Sequence, residues 1–216
     1  MQDDFHRIAD KITANLTAGE VYTCRFSAEE SDFVRFNHNR VRQAGHVAQR
    51  SLTVDLIRGQ RHACGDLALS GEFEQDVARI RKLIEDLREK LGQLPEDPHL
   101  LYATEVHSTE FRGAGRLPDA AAAVADIQKA AHGRDLVGLY AAGAIHAGFA
   151  NAFGQRNWYT NYSFNLDWSF YLRADKAVKT TFAGFEWVPA EFERKVRWAV
   201  EQIDALAHPA RTIPPG

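Results

Sequence analysis

Hydrolytic chemistry needs a nucleophile held beside a base, or a metal whose ligands leave one coordination position open. The side chains able to supply either are scattered along this chain. Its nine histidines include no His-Glu-x-x-His pair, and His38 and His46, on either side of a turn holding Gly45, read as loop residues facing solvent rather than as metal ligands. Cys24 and Cys64 form no Cys-x-x-Cys and have no histidine at metal spacing, so both read as small buried residues kept reduced. Glu72 with Glu74, and Glu191 with Glu193, are paired carboxylates, but acids in a first helical turn complement the helix dipole without any catalytic role. Arg112-Gly-Ala-Gly-Arg116 sets two glycines between arginines, as a phosphate cradle would. It lacks the Gly-x-Gly-x-x-Gly spacing and a clean preceding strand, and so reads as surface loop. The pattern assigns no catalytic and no metal residue.

One cluster has the composition of a contact surface. Arg156, Asn157, Trp158 and Tyr159 follow Gln155 at a loop or strand edge, and Arg, Trp and Tyr are the residues enriched at interface hot spots. Either they hold a partner or peptide, or Trp158 and Tyr159 are strand residues packed under a helix.

The elements that must position this cluster are legible from periodicity. From Phe164 to Leu172, apolar Phe164, Leu166, Trp168, Phe170 and Leu172 alternate with polar or smaller residues, the pattern of a half-buried strand. Arg173 to Lys176 reads as a turn into a returning strand over 177–182, which makes this stretch the heart of an antiparallel sheet. Phe5, Ile8, Ile12 and Leu16 predict a first helix closed by Gly19. Strands are expected over 21–26 and 33–36 with a turn at 28–31, then turn chemistry at Asn37-His-Asn39 and a short edge continuation over 40–43. Leu52, Val54 and Leu56 mark the next strand, Arg58-Gly59-Gln60 its hairpin turn, and a second helix starts with Ser70 as N-cap and is stopped by Gly92 and Pro95. Pro118 and Asp119 open a third helix ended by Gly133, and a hairpin with its turn at Ala142-Gly143 follows. Phe192, Val196, Ala199, Ile203 and Leu206 predict a last helix, and the Pro-rich stretch His208 to Gly216 cannot continue it.

The second and last helices read EFEQDVARIRKLIEDL over 72–87 and EFERKVRWAVEQIDAL over 191–206, and Leu52, Val54 and Leu56 align with Trp168, Phe170 and Leu172. Two copies of a helix, antiparallel meander, helix unit explain this; two similar amphipathic segments without common origin are the alternative. The fold class that follows is α+β, with antiparallel sheets each covered by helices, and two lobes are expected at 1–98 and 99–216.

At 216 residues, 45% hydrophobic and 25% charged, the chain can bury one large or two small cores. A formal net charge of -3 gives no electrostatic reason to expect nucleic acid. No apolar run reaches the ~18 residues of a membrane span, and the acidic, polar start MQDDFHRIAD is unlike a signal peptide, so the expected compartment is the cytoplasm.

Asn39-Arg-Val-Arg-Gln-Ala44, leading into the strand, glycine turn and return strand of residues 50–65, resembles the N-terminal half of the TldD/PmbA family of metallopeptidases, also described as modulators of DNA gyrase. Phe149-Ala-Asn-Ala-Phe-Gly154 is similar to that family's Asn-Ser-x-Gly step before an aromatic strand. The resemblance covers nearly the whole chain. It implies a zinc site in the family's C-terminal half, on a His-Glu-x-x-x-His helix that has no counterpart here, so no catalytic or metal residue and no cofactor is carried onto this sequence. What it implies for this chain is a half, inactive alone, that helps enclose a groove for unfolded peptide in an assembly with a second family subunit, as a homodimer or heterodimer. A free-standing module that binds a protein partner by its sheet edge is the competing expectation.

Overall fold

The computed structural model describes residues 1–209, 211 and 212; Ala210 and residues 213–216 of the Pro-rich stretch lie outside the described residues. Four helices and seven strands follow in the order α1 (Gln2–Ala14), β1 (Glu20–Asn37), β2 (Arg40–Arg58), β3 (Arg61–Ala68), α2 (Phe73–Leu91), β4 (Glu110–Arg112), α3 (Ala120–Ala130), β5 (Asp135–Asn151), β6 (Arg156–Arg173), β7 (Lys176–Gly184) and α4 (Pro189–Ala205). The class is α+β. All seven strands belong to one sheet, in the order β3-β2-β1-β5-β6-β4 with β7 also paired to β6, where two sheets were expected. The short β4 runs parallel to β6; β2 with β3 and β6 with β7 are antiparallel.

Helix, three strands, helix occurs twice in this order, as α1-β1-β2-β3-α2 and as α3-β5-β6-β7-α4, with β4 inserted between. Corresponding positions share their burial: Leu52 and Trp168, Val54 and Phe170, Val77 and Val196, Ile84 and Ile203 are all buried. Leu172 departs from its counterpart Leu56. It is 41% exposed because the pairing of β6 with β7 shifts register between Tyr171 and Arg173, ending the strict alternation of the strand.

The chain forms two compact units, but not the sequential lobes expected at 1–98 and 99–216. One comprises Met1–Glu29, Ala48–Gly113 and Ile145–Asn161; the other comprises Glu30–Val47, Ala114–Ala144 and the described residues from Tyr162 onward. The boundaries fall inside β1, β2, β5 and β6 because these strands run uninterrupted where turns were expected at 28–31 and 142–143. Gly143 explains the second case. A Cβ there would collide with the Glu30 carbonyl and the Ser31 Cα, so the glycine permits close approach of the β1 backbone rather than making a turn. The turn at His38-Asn39 is as expected, with both residues at positive φ (49° and 53°), the requirement of a type I′ hairpin.

In the first unit, Phe5, Ile8 and Ile12 of α1 and Ile80, Ile84 and Leu87 of α2 pack on the apolar side chains of β1 and β2. Ser70 is not the N-cap of α2. Buried Asp76 instead reaches back and accepts hydrogen bonds from Ser70 N, Ser70 Oγ and Gly71 N, at 2.8 to 2.9 Å. In the second unit, Ile127 of α3 and Phe192, Val196, Ala199 and Ile203 of α4 cover Phe164, Leu166, Trp168 and Phe170 of β6. Burial of one strand face under helices leaves the alternate residues of the same strands on a face without helices.

Candidate functional site

On that helix-free face, the first unit carries a groove of about 520 Å³. Its position follows from alternation. Cys24 and Phe26, Leu52 and Val54, and Trp158 point into the core, so their neighbours Arg25 and Ser27, Ser51 and Thr53, and Tyr159 line the groove. Phe149 of β5 and Phe111 of β4 complete an aromatic wall. Phe111 and Tyr159 stack with ring centroids 5.3 Å apart and an interplanar angle of 17°, although they are 52% and 41% exposed. The Tyr159 hydroxyl accepts from Asn161 Nδ2 at 2.9 Å. The Arg25 side chain makes no hydrogen bond or ion pair among the described residues, leaving its five N–H donors available to a ligand.

The four residues singled out from sequence are divided by the structure. Arg156 donates to Asp10 at 3.0 Å and to the carbonyls of Asn151 and Gln155, tying the β5–β6 turn to α1. Asn157 Nδ2 donates to the His107 carbonyl and to Thr109 Oγ1. Trp158 is 4% exposed beside Phe5 and Phe26, with its Nε1 donating to Thr160 Oγ1. Tyr159 alone of the four presents its ring to the groove as an exposed surface, and Asn157 also lines it. The backbone edge of β6 at these positions is already occupied by β4, through Trp158 N to Thr109 O and Gly113 N to Thr160 O.

Phe111 and Arg25 were not found by sequence reasoning. Phe111 lies in a stretch without periodicity, and Arg25 is one exposed charge in an alternating strand; only the pairing of β4 with β6 and the sheet order place them in one groove.

Among the described residues, no three His, Cys, Asp or Glu side chains converge so as to hold a metal ion. His38 Nδ1 lies 2.8 Å from Asp135 Oδ1 and His46 Nδ1 lies 2.8 Å from Asp32 Oδ1, each histidine engaged by its own aspartate. Cys24 is buried, which pushes its thiol up to about 12. Cys64 corrects the expectation of two buried cysteines: it is exposed on β3, and both thiols are free. Desolvation, then the nearby Asp55 and Asp66 carboxylates, raise the Cys64 thiol above its ordinary value, so it is not an activated nucleophile.

In each unit helices cover one face of mostly antiparallel strands, and the first unit carries the aromatic groove on its uncovered face. No protein-family model and no curated protein sequence matches this chain. Solved structures do. A protein described as a modulator of DNA gyrase from Thermotoga maritima superimposes with a TM-score of 0.68 at 14% identity, covering 99% of this chain and 50% of that one. TldE from Thermococcus kodakarensis gives 0.67 at 10% identity, covering 93% and 47%, and a protein described as a modulator of DNA gyrase from Bacteroides thetaiotaomicron gives 0.59 at 13%, covering 93% and 48%. The chain has the fold of about half of each of these structures, and spans about half their length.

Proposed function

We propose that this chain is the substrate-holding half of a TldD/TldE-type zinc metallopeptidase, and that the helix-free face of its first unit receives an unfolded peptide. The observation that carries the reading is the groove itself. It crosses five strands, β2-β1-β5-β6-β4, which at ~4.8 Å per strand is about 19 Å, the length of five or six extended residues. The stacked Phe111–Tyr159 pair offers apolar contact for a side chain of any sequence, and Arg25 offers donors for peptide carbonyls or a carboxylate. Such a surface suits chains selected for being unfolded rather than for their sequence. No three ligating side chains among the described residues converge to fit a catalytic zinc; in this reading the bond-breaking step belongs to a metal-bearing half of the assembly, and this half binds and orients. A second family subunit is the partner that this division of labour requires.

The test is equilibrium binding of a dye-labelled, unstructured peptide of about six residues containing one aromatic, followed by fluorescence anisotropy. Replacing Phe111 and Tyr159 together by Ala removes the aromatic wall and is expected to weaken binding about tenfold, the equivalent of ~1.4 kcal/mol. Circular dichroism should be unchanged, since both rings are exposed. Equal affinity in the wild-type and double-variant chains would overturn the assignment of this groove.

A further inference from the structure

The second unit has its own depression on the helix-free face, of about 370 Å³, whose chemistry is cationic where that of the first unit is aromatic. Arg35 of β1 and Arg42 of β2 line one side; Asp167 of β6 and Lys179 of β7 line the other, joined by a 3.0 Å ion pair. Arg35 and Arg42 stand equally far from the two-residue turn at His38-Asn39, so the hairpin sets them opposite each other. Directly opposed like charges repel, and a neighbouring carboxylate would relieve them. Here the neighbouring carboxylates are engaged elsewhere: Asp32 by His46, Asp135 by His38 and Asp167 by Lys179. Neither arginine side chain makes a hydrogen bond or ion pair among the described residues, although eleven others, from Arg7 to Arg197, are salt-bridged.

We propose that Arg35 and Arg42 form an oxyanion-binding fork on the helix-free face of the second unit, and that its ligand is a carboxylate of an acidic peptide. Two guanidinium groups side by side present parallel N–H donors that match a carboxylate bidentately, and the anion removes the repulsion between them. Val137 and Leu139 line the same depression beside the fork, so an apolar side chain next to the acid has a surface to lie on. Ser169 of β6 lines the far side of the depression, where its hydroxyl offers an acceptor for a peptide N–H further along the ligand. Arg42 on β2 and Ser169 on β6 are three strand spacings apart, about 14 Å, so a small anion reaches only the arginines while an extended peptide also reaches Ser169. That difference favours a peptide over a free ion. The inference rests on the reading that this protein binds unfolded peptide, and adds a preference for acidic segments.

Two acetylated, amidated peptides of about six residues, one with two central glutamates and one with glutamines in their place, test this against the wild-type chain and the Arg35→Gln/Arg42→Gln variant. The expected result is that the Glu peptide binds the wild type about tenfold more tightly than the Gln peptide, which is ~1.4 kcal/mol. This advantage should vanish in the variant and shrink at about 0.3 M salt, where the Debye length falls below ~8 Å. In the wild-type chain the Arg35 and Arg42 Nε–H resonances should shift with the Glu peptide, a readout independent of how the variant folds. A Gln peptide that binds as well as the Glu peptide removes the fork and leaves the peptide-binding reading standing; neither peptide binding removes both. Inorganic pyrophosphate binding that is lost in the variant, without any Glu preference, overturns the peptide ligand and reassigns the fork to phosphates.

Discussion

Arg88 of α2 grips Glu20 at the start of β1 with two parallel hydrogen bonds, Nε to Oε1 at 2.8 Å and Nη2 to Oε2 at 3.0 Å. Arg58 adds a third at 2.6 Å, the Thr17 backbone N–H a fourth at 2.8 Å, and Arg88 also donates to the Asn15 carbonyl at the end of α1. One buried carboxylate thus joins α1, β1, β2 and α2 in the first unit. Burial alone would raise its pKa, but the donors from Arg88, Thr17 and Arg58 outweigh it and hold the carboxyl at about 2 instead of 4.5. A depressed carboxylate contributes stability above its unfolded pKa and loses it as pH falls through the folded one. Stability should therefore decline between about pH 4.5 and 2, by on the order of 3 kcal/mol from this group. Urea midpoints across that range measure it, and Glu20→Gln should flatten the dependence; an unchanged slope in the variant would refute the assignment.

Trp168 is 1% exposed and packs edge-on against Phe192, with ring centroids 5.9 Å apart. Trp168→Ala should cost about 3–5 kcal/mol through lost contacts and the cavity left behind. A denaturation midpoint that barely moves would contradict this packing.

Gly143→Ala places a methyl group against the Glu30 carbonyl of β1. The neighbouring strand cannot yield as a flexible side chain would, so a loss of about 1–3 kcal/mol or more is expected. Gly133→Ala makes a useful contrast, because its Cβ would meet nothing and only the strain of φ +74° is felt. Thermal unfolding of the two variants should separate them, with Gly143→Ala the less stable.

Arg42→Glu converts a repulsive cross-strand pair with Arg35 into an attractive one. It should stabilise the protein by about 0.2–1 kcal/mol at low salt, with the gain fading as salt is added. A loss of stability would show that the two arginines do not face each other across the hairpin.

The two thiols should differ in reactivity. Cys24 is buried with its thiol at about 12, whereas Cys64 is exposed. A thiol reagent should modify one cysteine per native chain near pH 8, with mass spectrometry of the digest assigning it to Cys64, and both after unfolding.

Periodicity is a local property, and it sufficed for what is local. The period-2 run from Phe164 to Phe170 and the heptad-like spacing of Val77, Ile80, Ile84 and Leu87 determine which residues a strand or helix buries, and all of these are buried. The repeated Glu-Phe-Glu helices likewise match the repeated order of elements. What lies between was decided by partners distant in the chain. The polar residues at 28–31 and the glycine at 143 look like turns until β1 and β5 are laid side by side, where the small residue admits a neighbouring backbone. Ser70 looks like a cap until Asp76 takes its donors. The helix-free surface belongs to the same category. Arg25, Arg35, Arg42 and Phe111 are unremarked in the sequence because an exposed charge or a lone ring carries no period; strand order collects them, and ion pairs formed by other residues leave the arginines free for a ligand. A sequence specifies by alternation which face of each strand is buried, but only the tertiary fold decides which residues of different strands meet on the face that remains open.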